Sequence, residues 1–235
     1  MLLNGKDIEL LQTCPRAWWL SRSPHTIPLT LEAVQRYVAT WLWTQQLRRG
    51  QKVSLFQLKQ RWGLEAAKIL IPGQDSPPLT VSNPIADGFL VMKEIYEEYA
   101  ISPLTPVATG VPLRYTIPHC GVCRITIPVV CLGGLGETIL LDYSTLTTRE
   151  LEQSASAAAE LLAGEELEAE ILIITRLIRG LPRTHLRRGD MNQRKVERNL
   201  KAIFSLAKTK ASYQAIACWK ECPFKKKCRE YTLFR

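Results

Sequence analysis

The fold of this chain is decided by its middle, residues 107–143, which read VATGVPLRYTIPHCGVCRITIPVVCLGGLGETILLDY. Apolar and polar residues alternate in three runs, 107–117, 123–132 and 138–143, and such alternation is typical of β-strands. The loop at 133–136 is rich in glycine. It lacks the Gly-Lys-Ser/Thr ending of a phosphate-binding loop and precedes no helix, so a hairpin turn is the better interpretation. The sequence therefore predicts a three-stranded meander.

Helical patterns lie on both sides of the meander. Before it, the first ~22 residues are typical of a short helix, and apolar residues recur with a helical period in three further segments, 31–49, 55–70 and 85–99. After it, the pattern predicts a helix, a buried strand, a basic loop and a basic helix at 149–163, 170–177, 180–189 and 191–208. We therefore expect one α+β domain over residues 1–235, with a mixed central sheet flanked by helices. Its parts would be a helical part at 1–100, a β-rich core at 101–180 and a basic C-terminal part at 181–235.

The positive charge of the chain is concentrated near its C-terminus. The 235 residues carry a formal net charge of +9. Residues 176–235 hold 17 Lys and Arg against 4 Asp and Glu, whereas the rest of the chain holds 14 against 18. Such asymmetry favours a polyanionic partner, most often nucleic acid, over a merely solvated surface. The predicted contacts are Arg183, Arg187, Arg188, Arg194, Lys195, Arg198, Lys225, Lys226 and Lys227.

Three of the seven cysteines cluster near the C-terminus as Cys218, Cys222 and Cys228, among several lysines. Neighbouring cations favour the thiolate form that binds metal. Three thiolates need a fourth ligand for zinc or a cubane cluster. The best candidate is Cys14, which like Cys222 is followed by a proline that fixes the turn. Ligand type alone leaves iron–sulfur and zinc open. Cys120 and Cys123 form a C-x2-C beside His119, which leaves a redox-active pair or half a zinc site open as an alternative. Because this stretch and Cys131 belong to the predicted hairpin strands, we interpret all three cysteines as small strand residues.

The sequence shows no signal peptide and no apolar run long enough to span a membrane, so we expect a cytoplasmic protein, or a virion-associated one if of phage origin. An odd number of cysteines in such a chain argues against a disulfide framework.

The order of these features resembles the RecB-like branch of the PD-(D/E)xK nuclease superfamily in its iron–sulfur form. CRISPR-associated exonucleases and AddB-type helicase-nucleases belong to this branch. The resemblance rests on an early Cys-Pro-Arg at Cys14, the meander, the basic helix, and a cysteine trio with Pro-Phe after its middle member. It implies a restriction-endonuclease-like core. It also implies that Cys14, Cys218, Cys222 and Cys228 hold a [4Fe–4S] cluster.

The catalytic motifs of that family are degenerate in this chain. Where the family has Gly-x-x-Asp, the aligned segment ends in Arg124, and where it has Asp/Glu-x-Lys, Asp142 is followed by Ser144 in place of the lysine. Of the helix motif Gln-x-x-x-Tyr only Gln153 is present, and the family's helix histidine has no counterpart. The remnants are therefore Asp142 and Gln153, and Asp142 is interpreted as a lone turn or ladder residue. One carboxylate cannot hold the catalytic divalent ion.

The sequence thus favours an inactive nuclease fold that binds DNA or serves as an assembly module. One alternative is an active metal-dependent DNA exonuclease. Another is a structural component of a phage particle or of a multi-subunit DNA-processing complex, with exposed tryptophans as a docking surface. The competing interpretation places the tryptophans in the core. The residues concerned are Trp18, Trp19, Trp41, Trp43 and Trp62.

Overall fold

The structure, a computed structural model, describes residues 2–14, 18, 30–69 and 84–208. This part has α+β architecture, with one mixed sheet of six strands between two layers of helices, which confirms the predicted class. The strands are β1 (Leu2–Asn4), β2 (Thr105–Ile117), β3 (Gly121–Leu132), β4 (Thr138–Ser144), β5 (Ile171–Arg176) and β6 (Arg183–Arg187). The meander predicted from residues 107–143 is β2–β3–β4.

The helices begin and end at residues with the expected capping chemistry. They are α1 (Gly5–Thr13), α2 (Leu31–Arg49), α3 (Leu55–Ala66), α4 (Pro84–Ile101), α5 (Thr148–Glu152), α6 (Ala155–Ala163) and α7 (Gln193–Lys208). The Thr30 hydroxyl caps α2, whose other end is Gly50 with a φ of 66°. Ser54 forms a capping box with Gln57 at the start of α3.

Three sequence predictions about local structure are wrong. The helix predicted at 149–163 is two helices, because the Ser154 hydroxyl accepts the backbone N–H of Ala157 and starts a new helix. The basic loop predicted at 180–189 contains β6, which pairs antiparallel with β5. The first residues form β1 before α1, and a three-residue strand is too short to show alternation.

β3 organises the sheet. β2 runs antiparallel along one side of it, while its other side is shared by two strands. β1 pairs in parallel with residues 122–124, and β4 pairs antiparallel with residues 129–132. β5 then adds in parallel to β4.

The pairing of β3 with β4 stops at Val129 and Leu141, although β4 continues to Ser144 against β5. Two residues explain this opening. Pro128 has no N–H to donate to a neighbouring strand. Gly110, opposite it, has a φ of 64°, which an L-residue with a side chain rarely adopts. Residues 111–127, here called the β2–β3 arm, therefore diverge from β4.

Two apolar cores lie on opposite faces of the sheet. One joins the sheet to α1, α6 and α7, and the other joins it to α2, α3 and α4. Trp18 is buried in the first core, and Trp43 and Trp62 are buried in the second, which confirms the core interpretation for these three residues. In the described residues, no helix combines the length and apolar character needed to cross a membrane.

Candidate functional site: a buried charge cluster and a basic helix

Asp142 lies on β4 at the opening between β3 and β4, and it is 5% exposed. Its neighbours Leu141 and Tyr143 belong to the α2–α4 core, so its side chain faces the opposite layer, which contains α1 and α6. Arg36, on α2, reaches it nonetheless. One guanidinium nitrogen, Nη2, donates to Oδ1 at 2.8 Å and to Oδ2 at 2.9 Å. Asp142 is a ladder residue, as predicted, because it pairs with Ile174 of β5, but its side chain is held by Arg36 and is not alone.

Two further carboxyl groups surround this ion pair, Glu9 from α1 and Glu160 from α6. Glu160 is buried, and burial followed by the nearby Asp142 carboxylate raises its pKa well above the ordinary value. Both causes favour the protonated, neutral form of Glu160, whose buried Oε2 has no hydrogen-bond partner among the described residues. Burial likewise raises the pKa of Glu9 to about 7, with Arg36 opposing the shift and Asp142 adding to it.

Glu9, Arg36, Asp142 and Glu160 together form what we call the charge cluster. Three carboxyl groups from three elements converge there, and the cation among them is a guanidinium. Asp142 raises the pKa of Arg36 further, so the arginine stays charged. Arg36 thus already supplies the positive charge that would otherwise have to come from a bound ion.

These residues do not fit a catalytic divalent metal ion. In the described part of the chain, no group of three or more His, Cys, Asp or Glu side chains has the arrangement needed to hold a metal. The Asp142 oxygens that would bind it are already hydrogen-bonded to Arg36. Arg124, which the resemblance would place at the first carboxylate position, is exposed on β3 and forms no ion pair with Asp142.

The other remnant, Gln153, lies apart from the charge cluster. It is the C-cap of α5 with an exposed side chain, rather than a residue inside α6. Its backbone carbonyl accepts a hydrogen bond from Nε2 of Gln12 at 3.0 Å. Sequence reasoning missed Glu9, Arg36 and Glu160. Glu160 had a usable signal, because it is one acidic residue in the otherwise small and apolar helix ASAAAELLA.

A second contact joins α2 to β4 one residue from Asp142. Nε1 of Trp43 donates to the Tyr143 hydroxyl at 2.8 Å, and both side chains are buried. Burial also raises the pKa of Tyr143, which keeps the hydroxyl neutral. The Arg36 contact is therefore part of a wider attachment of α2 to the sheet.

Of the four predicted cluster ligands, only Cys14 falls within the described residues. It is 5% exposed and follows α1, where its N–H donates to the Leu10 carbonyl at 2.7 Å. Cys218, Cys222 and Cys228 lie outside the described residues, so the predicted cysteine site stays a prediction. Cys14 has a free thiol within the described structure.

Two of the three cysteines interpreted as strand residues lie in a strand, as predicted, and Cys120 does not. Cys123 and Cys131 are fully buried in β3, and burial raises their thiol pKa values to about 11 and 12. Cys120 is partly buried in the turn before β3.

The predicted basic contacts divide into two groups. Arg183 is paired with Glu98, and Arg188 is paired with Glu170 at 2.5 Å. Arg187, Arg194, Lys195 and Arg198 are exposed and form no ion pair with another described residue. Lys225, Lys226 and Lys227 lie outside the described residues.

Three of these four exposed cations lie on helix α7. One side of the helix is buried in the core that it shares with α1 and α6, through Leu200, Ile203 and Phe204. Four exposed basic residues recur along the helix at spacings of four, three and seven, which places them in one row beside the buried side. This basic row consists of Arg194, Arg198, Lys201 and Lys208.

Comparisons with known proteins give no family. No protein-family model matches the chain, and no curated protein matches it. Among solved structures, the chain is similar to one described as "Crystal structure of SSO0001", with a TM-score of 0.40 and 11% identity, over 94% of this chain and 95% of that one. At this TM-score we draw no conclusion from the likeness.

Proposed function

We propose that the protein is a nuclease-fold module without a working hydrolytic site, which binds the phosphate backbone of nucleic acid. The observation that carries the proposal is the Arg36–Asp142 contact, because it neutralises the one carboxylate retained from the two catalytic motifs. Hydrolysis of a phosphodiester by a metal-dependent nuclease needs free carboxylate oxygens and a nearby cationic group for the attacking water. Here both Asp142 oxygens accept from Arg36.

The second catalytic requirement is also missing from the sequence. No lysine lies between Lys93 and Lys195, so no lysine follows Asp142 on its strand. Loss of a single group that stabilises a transition state costs on the order of 10²–10³ in rate. Loss of the first carboxylate, the lysine and the metal contacts of Asp142 together leaves no measurable turnover.

The basic row on α7 supports backbone binding. Its four cations are exposed on one side of a helix that is anchored by its buried side, so they can meet successive phosphates without any rearrangement of the fold. Arg183 and Arg188 are less suited, since Glu98 and Glu170 already compensate their charge. The four phosphate contacts of this row should by themselves contribute roughly −3 to −4 to the slope of the logarithm of the binding constant against the logarithm of salt concentration.

The cysteine site belongs to the same proposal. A [4Fe–4S] cluster on Cys14, Cys218, Cys222 and Cys228 would join the two ends of the chain, and the buried position of Cys14 after α1 is compatible with a structural ligand. Anaerobically purified protein should be brown, with broad visible absorption. A colourless protein with stoichiometric zinc would replace the cluster by a zinc site and weaken the nuclease resemblance. Cys222→Ala should remove the chromophore and lower the melting temperature, because cluster binding and folding are coupled.

The proposed function is tested by two assays on the full chain. Fluorescence anisotropy with a labelled 20-base-pair duplex should show binding at 50 mM salt that weakens in Arg194→Gln/Arg198→Gln. Incubation of linear duplex and single-stranded DNA with Mn²⁺ should leave both intact. Cleavage that disappears in Asp142→Ala would show that the protein is an active exonuclease instead. Absence of binding at low salt would remove the nucleic-acid part of the proposal.

A further inference from the structure

The β2–β3 arm has one buried face and one exposed face. Leu113, Ile117, Cys123, Ile125 and Ile127 lie in the core with α1, α6 and α7. The residues that alternate with them are turned the other way and are exposed. This exposed face, here called the arm face, consists of Pro112, Arg114, Thr116, Arg124 and Thr126.

Two arginines lie side by side at the centre of the arm face. Arg114 and Arg124 are direct partners in the antiparallel pairing of β2 with β3. The partner of Arg124 on its other side is Asn4 of β1, which carries no charge. Like charges directly opposite each other destabilise a sheet, so this arrangement costs stability in the isolated protein.

No described carboxylate offsets this repulsion. Neither guanidinium forms an ion pair or a hydrogen bond with another described residue. The sequence itself has no Asp or Glu between Glu98 and Glu137, a stretch that contains all of β2 and β3. The arm face therefore has a local positive charge that an anionic partner would complement.

We propose that the arm face is a second nucleic-acid-binding surface, on which Arg114 and Arg124 contact phosphates of a duplex backbone. The inference rests on the proposed function and adds a site to it. Guanidinium groups bind phosphate oxygens in a bidentate manner, and the flanking Thr116 and Thr126 hydroxyls are further donors. None of the described residues on this face is a Phe, Tyr or Trp that could stack an unpaired base, so the face suits a paired backbone better than a single strand.

The arm face is separate from the basic row on α7. Helix α7 packs on the buried side of the arm, where the Tyr115 hydroxyl donates to Oε1 of Glu197 at 3.3 Å. The arm face points away from that side. Substitutions on the two surfaces therefore test different contacts.

The test is the salt dependence of duplex binding by Arg114→Gln/Arg124→Gln in the full chain. Removal of two phosphate contacts should make the salt slope shallower by about 2. Between 50 and 200 mM salt, the wild type should then lose roughly tenfold more affinity than the variant. The matched control is Arg48→Gln/Arg49→Gln, which removes the same charge from exposed residues at the end of α2 and should keep the wild-type slope.

The stability of the variant gives a second measurement. Without DNA, Arg114→Gln/Arg124→Gln should melt at or above the wild-type temperature, because the repulsion between the two arginines is removed. A wild-type salt slope in this variant, together with a reduced slope in Arg194→Gln/Arg198→Gln, would refute the arm face and leave the proposed function standing. No duplex binding by the wild type at 50 mM salt would refute both. If Arg48→Gln/Arg49→Gln makes the salt slope shallower by the same amount, the effect is due to net charge rather than to the arm face, and the inference is overturned.

Discussion

Arg36→Met tests whether the guanidinium of Arg36 is the cation on which the charge cluster depends. The substitution keeps an apolar side chain of similar length and leaves Asp142 buried beside Glu9 and Glu160 without a positive charge. Removal of one partner of a buried ion pair costs roughly 3–5 kcal/mol. Since the Arg36 side chain is 34% exposed, we expect the lower end, about 3 kcal/mol.

Thermal unfolding followed by circular dichroism measures this cost. For a chain of this size, about 3 kcal/mol corresponds to a fall in melting temperature of roughly 6–12 °C. Arg48→Met is the control, because it removes an exposed arginine from the same helix. A double-mutant cycle with Asp142→Asn measures the coupling of the two residues. The loss in the free energy of unfolding should be at least about 1 kcal/mol smaller in the double variant than the sum of the losses in the two single variants.

Divalent ions provide an independent readout of the same variant. Removal of Arg36 does not give the three carboxyl groups the arrangement that a metal ion needs, so saturating Mg²⁺ or Mn²⁺ should raise the melting temperature of neither Arg36→Met nor the wild type. The reasoning is refuted if Arg36→Met melts at the same temperature as the Arg48→Met control, if the cycle is additive, or if the ion stabilises Arg36→Met alone.

Three further predictions concern the interior. Because the pKa of Glu9 is raised to about 7, its contribution to stability is full below the unfolded pKa near 4.5 and is lost as the pH rises through 7. Glu9→Gln should therefore gain stability over the wild type in urea unfolding at pH 8 and match it at pH 4.5; an equal difference at both pH values would contradict this. Tyr143→Phe leaves the buried Nε1 of Trp43 without its acceptor and should cost about 1–3 kcal/mol in the same assay, and an unchanged urea midpoint would argue against the contact. Cys123 and Cys131 should resist a thiol-specific disulfide reagent at pH 8 until the protein unfolds, since both are buried with raised thiol pKa values; mass-spectrometric detection of either adduct in folded protein would count against their placement.

The parts of the fold that sequence reasoning predicted are those with local causes. Helix α2 begins at the Thr30 hydroxyl, which caps its first turn, and ends at Gly50, which has no side chain to oppose a positive φ. Both effects act within a single helical turn. The meander follows from alternation along each strand. The break between α5 and α6 was missed because the Ser154 cap competes with an otherwise helical pattern.

The environment of Asp142 could not be predicted in this way. Arg36 and Asp142 are separated by 106 residues, and nothing around either residue indicates the other. The arm face was missed for a related reason, since Arg114 and Arg124 come together through strand register rather than through their spacing in the chain. The sequence therefore led to the cysteines and the basic C-terminal part, whereas the structure added the charge cluster and the arm face.

The position of β1 beside β3 has a consequence for how the chain folds as it is synthesised. Leu2 pairs with Val122, so the first strand leaves the ribosome well before its partner exists. At about 5–20 residues per second, this delay is roughly 6–24 s. Helices α2, α3 and α4 also cannot bury their apolar sides until the sheet has been synthesised, because Val129 and Leu141 complete their core. We therefore expect the N-terminal half to need protection from aggregation during translation, and the native structure to form late and in one step.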